Sequence, residues 1–211
     1  MTVTLAFVGR GLRHSVRNPD ALVTALVLPV AILLMFVYVF GTAIDLGDPG
    51  LPYVDFVLPS VVLLCAGHGA ASTAVGVAQD KVGGVLDRVR TLPVRASAVL
   101  TGHVVASVVR NLASTLIVVA VGVAVGFRPD ATPVEWLAAA GVVTLFVLAF
   151  TWIAVGLGLA AGSVEGAAAF GFVALFLPYV SSAFVPTGNL PHGLRWLADH
   201  HMDWLVAAYL K

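Results

Sequence analysis

Five long apolar runs separated by short polar breaks set the pattern of this chain. Ala21–Ala43, Phe56–Val77, Trp136–Ala161 and Ala167–Ala183 contain no charged residue, and Ser107–Phe127 contains only Arg110. A helix rising about 1.5 Å per residue needs about 20 such residues to cross a hydrocarbon core roughly 30 Å thick. Each run therefore predicts a membrane-spanning helix, and the fold class is all-α, a polytopic bundle of about five spans in one domain. An arginine at mid-bilayer costs about 2.5–3.5 kcal/mol, so the embedded part of the third span should begin just after Arg110, with the guanidinium snorkelling to water.

The breaks carry their own signals. Over residues 1–18, Arg10, Arg13, His14 and Arg17 fall on one side of a helical wheel and Leu5, Val8, Leu12 and Val16 on the other. That pattern predicts an amphipathic helix lying in the membrane interface. Arg17-Asn18-Pro19-Asp20 reads as a helix start, with Asn18 as cap, Pro19 in the first turn and Asp20 complementing the dipole. Pro29 removes a backbone donor inside the first span and predicts a kink there. Gly41–Asp55, Arg128–Glu135 and Gly162–Gly166 read as turns, and Trp136 as an interfacial ring. The small residues Gly67 to Ser72 predict close packing of the second span on another helix, as Gly122 and Gly126 do for the third. Prolines, glycines and charges interrupt residues 184–204, which read as short helices outside the bilayer. Asp199, His200, His201 and Asp203 do not make a metal site, because adjacent helical histidines point about 100° apart.

Composition agrees with a bilayer as solvent. Of 211 residues, 60% are hydrophobic and 10% charged, with a mean hydropathy of +1.01, whereas soluble domains carry about 25% charged residues. The eleven basic and eleven acidic residues cancel, so no diffuse basic surface for nucleic acid is implied. The single cysteine, Cys65, lies in an apolar run and has no intrachain partner.

Charge arrangement is more informative than its sum. Arg10, Arg13, Arg17, Lys81, Arg88, Arg90, Arg95 and Arg110 fall on one side of five alternating spans, and Arg128, Arg195 and Lys211 on the other. By the positive-inside rule the N terminus and the segment Gln79–His103 face the cytoplasm of a multi-pass cell-membrane protein. Within that segment, Val82, Val85, Leu86 and Val89 share one face of a predicted short helix from Asp80 to Thr91, opposite Asp80, Gly83, Gly84, Asp87 and Thr91. Leu92-Pro93 ends it, since the residue before proline is pushed out of helical geometry. The apolar face should rest on the bundle and the polar face should meet a soluble partner, with Asp87, Arg88 and Arg90 fixing its register.

The wording Asp80-x-x-x-Gly84-x-x-Asp87-Arg88-x-Arg90-Thr91-Leu92-Pro93-x-x-x-Ser97-x-x-x-x-Gly102, preceded by Gly76 and followed by Val125-Gly126-Phe127-Arg128-Pro129, resembles the ATP-binding-cassette type-2 permeases of daunorubicin-resistance exporters. Arg17-Asn18-Pro19, Phe40-Gly41, the stretch Ser181 to Pro186 and Leu190-Pro191-x-Gly193-Leu194-Arg195 agree with it. The resemblance implies a half-transporter that pairs with a second permease, alike or different, and exports a hydrophobic small molecule such as a drug or antibiotic. It assigns a coupling helix to residues 80–93, with Asp80, Gly84, Asp87, Arg88, Arg90, Leu92 and Pro93 meeting a separate ATPase, and a connecting helix to Arg10, Arg13 and Arg17. ATP and magnesium would be held by that partner, because no G-x-x-x-x-G-K-[ST] phosphate cradle occurs in this sequence. Family members ordinarily have six spans, and this chain stops at Leu210-Lys211 where the sixth would begin, which implies either truncation or a five-span variant.

His68 and Ser72, four apart on the second span, are candidates for a substrate path. Three other readings compete. An ion-coupled transporter would use His68 or Glu165 as a proton site. An intramembrane enzyme would use His68 and Ser72, but no nucleophile elbow or oxyanion motif accompanies them. A non-transporting accessory protein would need neither.

Overall fold

The structure is a computed structural model that describes residues 19–41, 52–91, 97–129 and 131–180. The described residues form helices without strands: α1 (Pro19–Met35), α2 (Tyr53–Val82), α3 (Val85–Arg90), α4 (Ser97–Val125), α5 (Pro133–Ala160) and α6 (Val164–Val180). Four stretches, Val23–Phe40, Tyr53–Val82, Val99–Val125 and Pro133–Ala160, are long and apolar enough to cross a membrane, and α6 adds a shorter apolar helix. The all-α polytopic bundle expected from the apolar runs is the architecture found. Residues 1–18, 184–204 and the Asp199–Asp203 cluster lie outside the described residues.

The end of the bundle that carries α3 is called proximal here, and the opposite end distal. Helix α2 is the central element, packed against α1, α4, α5 and α6. At 30 residues it extends about 45 Å, well beyond a hydrocarbon core of roughly 30 Å. It thus overruns the expected Phe56–Val77 at both ends. In its distal half, Val57, Leu58, Val61 and Leu64 are buried with Leu33 of α1 and Val118 of α4. Proximally, Ala70 and Ala74 meet Ala154 of α5, and Val77 meets Val104 of α4 and Val155 of α5.

Close approach joins bulk at the proximal contacts. A Cβ on Gly158 of α5 would lie 2.5 Å from the Ala74 carbonyl oxygen, so only glycine lets α5 seat against the α2 backbone. A Cβ on Gly69 would collide with the Asn111 side chain of α4. Hydroxyls fill the same seam: Thr73 donates to its own helix at the Gly69 carbonyl (2.8 Å) and lies 2.7 Å from Ser107 Oγ. The small-residue stretch Gly67–Ser72 does pack helix on helix as its composition predicts, whereas Gly126, expected to help pack the third span, faces open space.

Helix ends follow local chemistry. Thr132-Pro133-Val134-Glu135 starts α5 with a capping box: the Thr132 amide donates to Glu135 Oε2 (2.6 Å) and the Glu135 amide to Thr132 Oγ1 (3.4 Å). Ser163 caps α6 by accepting from the Gly166 amide at 3.1 Å. Helix α1 runs on through the buried Pro29, and its irregularity comes later, as a π-helical turn at Phe36–Phe40. Trp136 stacks edge-on against Phe127 across the turn between α4 and α5, with ring centroids 6.4 Å apart.

Arg110 lies in the middle of α4, the helix that begins at Ser97. Ser114, one turn further on, donates to the Ala25 carbonyl of α1 at 2.5 Å. Arg110 is therefore about 6 Å proximal to that bond, level with the first turn of α1. Arg110 thus lies well inside the apolar stretch Val99–Val125, which begins eight residues before the expected Ser107, and not at the start of it.

Candidate functional site

The proximal end gathers the chemistry. Helix α2 carries Asp80 and Lys81 in its last turn, and the chain then breaks at Gly83-Gly84 before α3. Gly84 has φ +70°, a left-handed conformation in which a Cβ costs about 1–2 kcal/mol, so the two-glycine corner turns the chain sharply into α3. The corner is closed by the Gly83 amide on Gln79 O (2.8 Å) and the Gly84 amide on Lys81 O (3.1 Å). Thr91 ends α3 by donating from Oγ1 to Arg88 O at 2.7 Å.

This arrangement corrects the single helix expected from Asp80 to Thr91. Asp80, Lys81 and Val82 belong to α2, and the apolar face of α3 consists of Val85, Leu86 and Val89 alone. Val89 is 4% exposed and anchors α3 on the bundle, while Val82, expected beside it, is 63% exposed because the glycine corner intervenes. The glycine pair is the signal that a wheel drawn straight through residues 80–91 ignores.

The expected contact residues separate into two groups. Asp87 and Arg88 stand exposed on α3, and Arg90 is its last residue. Asp80 is partly buried and faces inward, its Oδ2 2.8 Å from His103 Nε2 of α4. Leu92, Pro93, Arg10, Arg13 and Arg17 lie outside the described residues. His68 is half-buried on α2, near enough to Arg110 for their charges to interact. Ser72 is exposed and its hydroxyl donates to the His68 carbonyl at 2.9 Å, so it serves its own helix rather than acting as a nucleophile paired to the imidazole.

Two residues absent from the expected set complete the proximal joint. His103 holds Asp80, and Lys81 reaches across to the C-terminus of α5, donating from Nζ to Leu159 O (2.6 Å) and Ala161 O (3.0 Å). The last carbonyls of a helix lack intrahelical partners and carry its negative dipole end, so an ammonium is well matched to them. Chemically the site offers no reaction centre among its described residues. It offers a short helix of mixed charge, seated by Val89, that follows directly on the end of α2, which is itself bonded to α4 and to the end of α5.

The model of the ABC-2 type transporter family matches residues 2–205. The chain belongs to that family. Its relatives include the daunorubicin resistance ABC transporter permease protein DrrB1 of Streptomyces coeruleorubidus, 28% identical over 200 residues that cover 94% of this chain and 70% of that protein. The probable doxorubicin resistance ABC transporter permease protein DrrC of Mycobacterium tuberculosis H37Rv is 28% identical over 127 residues, 59% of this chain and 45% of that protein. No solved structure matches. As an ABC-2 permease the chain is a multi-pass membrane protein, the membrane subunit of a transporter, and the family implies an ABC ATPase as its partner. The large apolar side chains left exposed on α5, such as Leu137, Leu145 and Ile153, are what a lipid-facing surface requires.

Proposed function

We infer that this ABC-2 permease is the membrane half of an ATP-driven exporter, moving a hydrophobic small molecule of the drug or antibiotic kind out across the cytoplasmic membrane. The observation that carries the reading is α3: a six-residue helix held on the bundle by buried Val89, with Asp87 and Arg88 exposed at the end where the basic residues gather. The basic excess orients that end and the N terminus toward the cytoplasm. There α3 and its flanks, residues 80–93 including Gly84, Arg90, Leu92 and Pro93, form the docking surface for the ATPase, which holds ATP and magnesium. Arg10, Arg13 and Arg17 lie along the interface as a connecting helix. Two permeases and two ATPases complete the transporter, and closure of the ATPases drives the bundles between inward- and outward-facing states. His68 and Ser72 contribute to the substrate path. The DrrB1 and DrrC relatives, named for daunorubicin and doxorubicin resistance, support the substrate class.

Reversing charge with Asp87→Lys and Arg88→Glu together tests the docking surface. Co-expressed with its ATPase, the wild-type permease should retain that ATPase through detergent purification, and the double variant should lose at least about tenfold of it, since like charges juxtaposed across an interface cost several kcal/mol. Undiminished co-purification of the variant, with the permease itself still monodisperse, contradicts the assignment.

A further inference from the structure

Asp80 and Lys81 are adjacent in the last turn of α2, so their side chains leave the helix about 100° apart and reach different neighbours. Asp80 Oδ2 lies 2.8 Å from His103 Nε2 on α4. Lys81 Nζ lies 2.6 Å from Leu159 O in the last turn of α5 and 3.0 Å from the carbonyl of Ala161, the residue that follows it. Both reach out from just before the Gly83-Gly84 corner that starts α3. On the far side of the Lys81 contact the chain turns within residues 161–163, and Ser163 starts α6 at once. The ammonium is thus a single strut between the root of α3 and the elbow joining two spans, and it lies 80 residues along the chain from the carbonyl it holds.

We propose that Lys81 is a positioning residue that locks the α3 corner and the α5–α6 elbow into one rigid body, so that a displacement applied at α3 is delivered to α5 and α6. The inference rests on the coupling role given to α3 above. Its physical basis is specific to the donor: one ammonium bonds a last-turn carbonyl of α5 and the carbonyl of Ala161 at the start of the elbow, and it opposes the negative end of the helix dipole. These are charge-assisted bonds, stronger than neutral ones. A neutral side chain of the same length keeps the apolar stem packed but releases the elbow. Gly162, between the two helices, faces open space, so Lys81 is the side chain from α2 that bonds the elbow's own backbone among the described residues. The paired Asp80–His103 contact fixes α2 to α4 separately and is untouched by a change at Lys81.

The test places spin labels at the exposed positions Thr91→Cys and Gly162→Cys, in a Cys65→Ser background, and measures their separation by double electron–electron resonance. It is done with the full permease, alone and in complex with its ATPase, nucleotide-free and vanadate-trapped. With Lys81 present the distance distribution should be narrow and the same in both nucleotide states. Lys81→Met should broaden it and make it shift between the two states, while ATP hydrolysis by the complex persists, and Lys81→Arg should restore the narrow distribution. A Lys81→Met distribution indistinguishable from wild type in every condition overturns the proposal. If instead no ATPase binds the wild-type permease, the coupling reading fails, and the Met-versus-Arg comparison in the isolated permease still decides whether Lys81 locks the elbow.

Discussion

In its distal half α2 meets its neighbours through bulky aliphatic side chains, whereas its proximal half adds to the Val77–Val104–Val155 cluster a set of contacts made by glycines, alanines, hydroxyls and charges. Distally, Val57, Leu58, Val61 and Leu64 interlock with Leu33 and Val118. Proximally, Gly158 brings α5 against the Ala74 carbonyl, Thr73 bonds to Ser107, and Asp80 and Lys81 reach to α4 and α5. Lipid tails are as apolar as leucine, so burial alone gives helices little reason to associate in a bilayer, and what remains is packing and hydrogen bonding. Bulky contacts can slide and repack. Backbone-limited and hydrogen-bonded contacts have discrete geometries, and they are found at the end where α3 would receive a push.

Two substitutions sharpen that contrast. Gly158→Leu should be the more damaging, because its new atoms meet the Ala74 backbone, which cannot rotate aside. A loss of about 3 kcal/mol or more is expected, read as collapse of the monodisperse fraction and of the thermal midpoint in detergent. Leu64→Ala in the distal core should cost less, about 1–2 kcal/mol, because the unfolded chain in lipid keeps its leucine solvated and only the cavity remains to be charged against the fold. If Leu64→Ala proved the worse of the two, the division of α2 into a repackable distal half and a geometrically fixed proximal half would be wrong.

How much of this could be read from the sequence follows the same division. The apolar runs give the spans because the bilayer demands length and apolarity and little else, and the family wording around Asp87-Arg88-x-Arg90 marks α3 before any coordinates. The apolar runs fall short of the helices α2 and α4, because charge ends a hydropathy pattern but does not end a helix. Helical periodicity does not carry across Gly83-Gly84, where φ at Gly84 breaks it, so Val82 leaves the face that Val85, Leu86 and Val89 share. Lys81 looked like one more cytoplasmic cation. Its role depends on α5 ending beside α2, a meeting of segments about 80 residues apart that no local pattern encodes. His103 was missed for the same reason: its significance lies in Asp80, on another helix.

The central claim is that the proximal helix α3, and no distal element, is where the ATPase docks. Site-directed cross-linking tests it most directly. A single thiol is introduced at Arg88→Cys on α3 or, for comparison, at Val134→Cys, which is exposed near the distal start of α5. The chain's own thiol, Cys65, is buried and serves as a silent background. With a short bifunctional reagent and the co-expressed ATPase, a permease–ATPase adduct should form from position 88 and none from position 134. An adduct from position 134, or none from position 88 in a complex that still co-purifies, would contradict it.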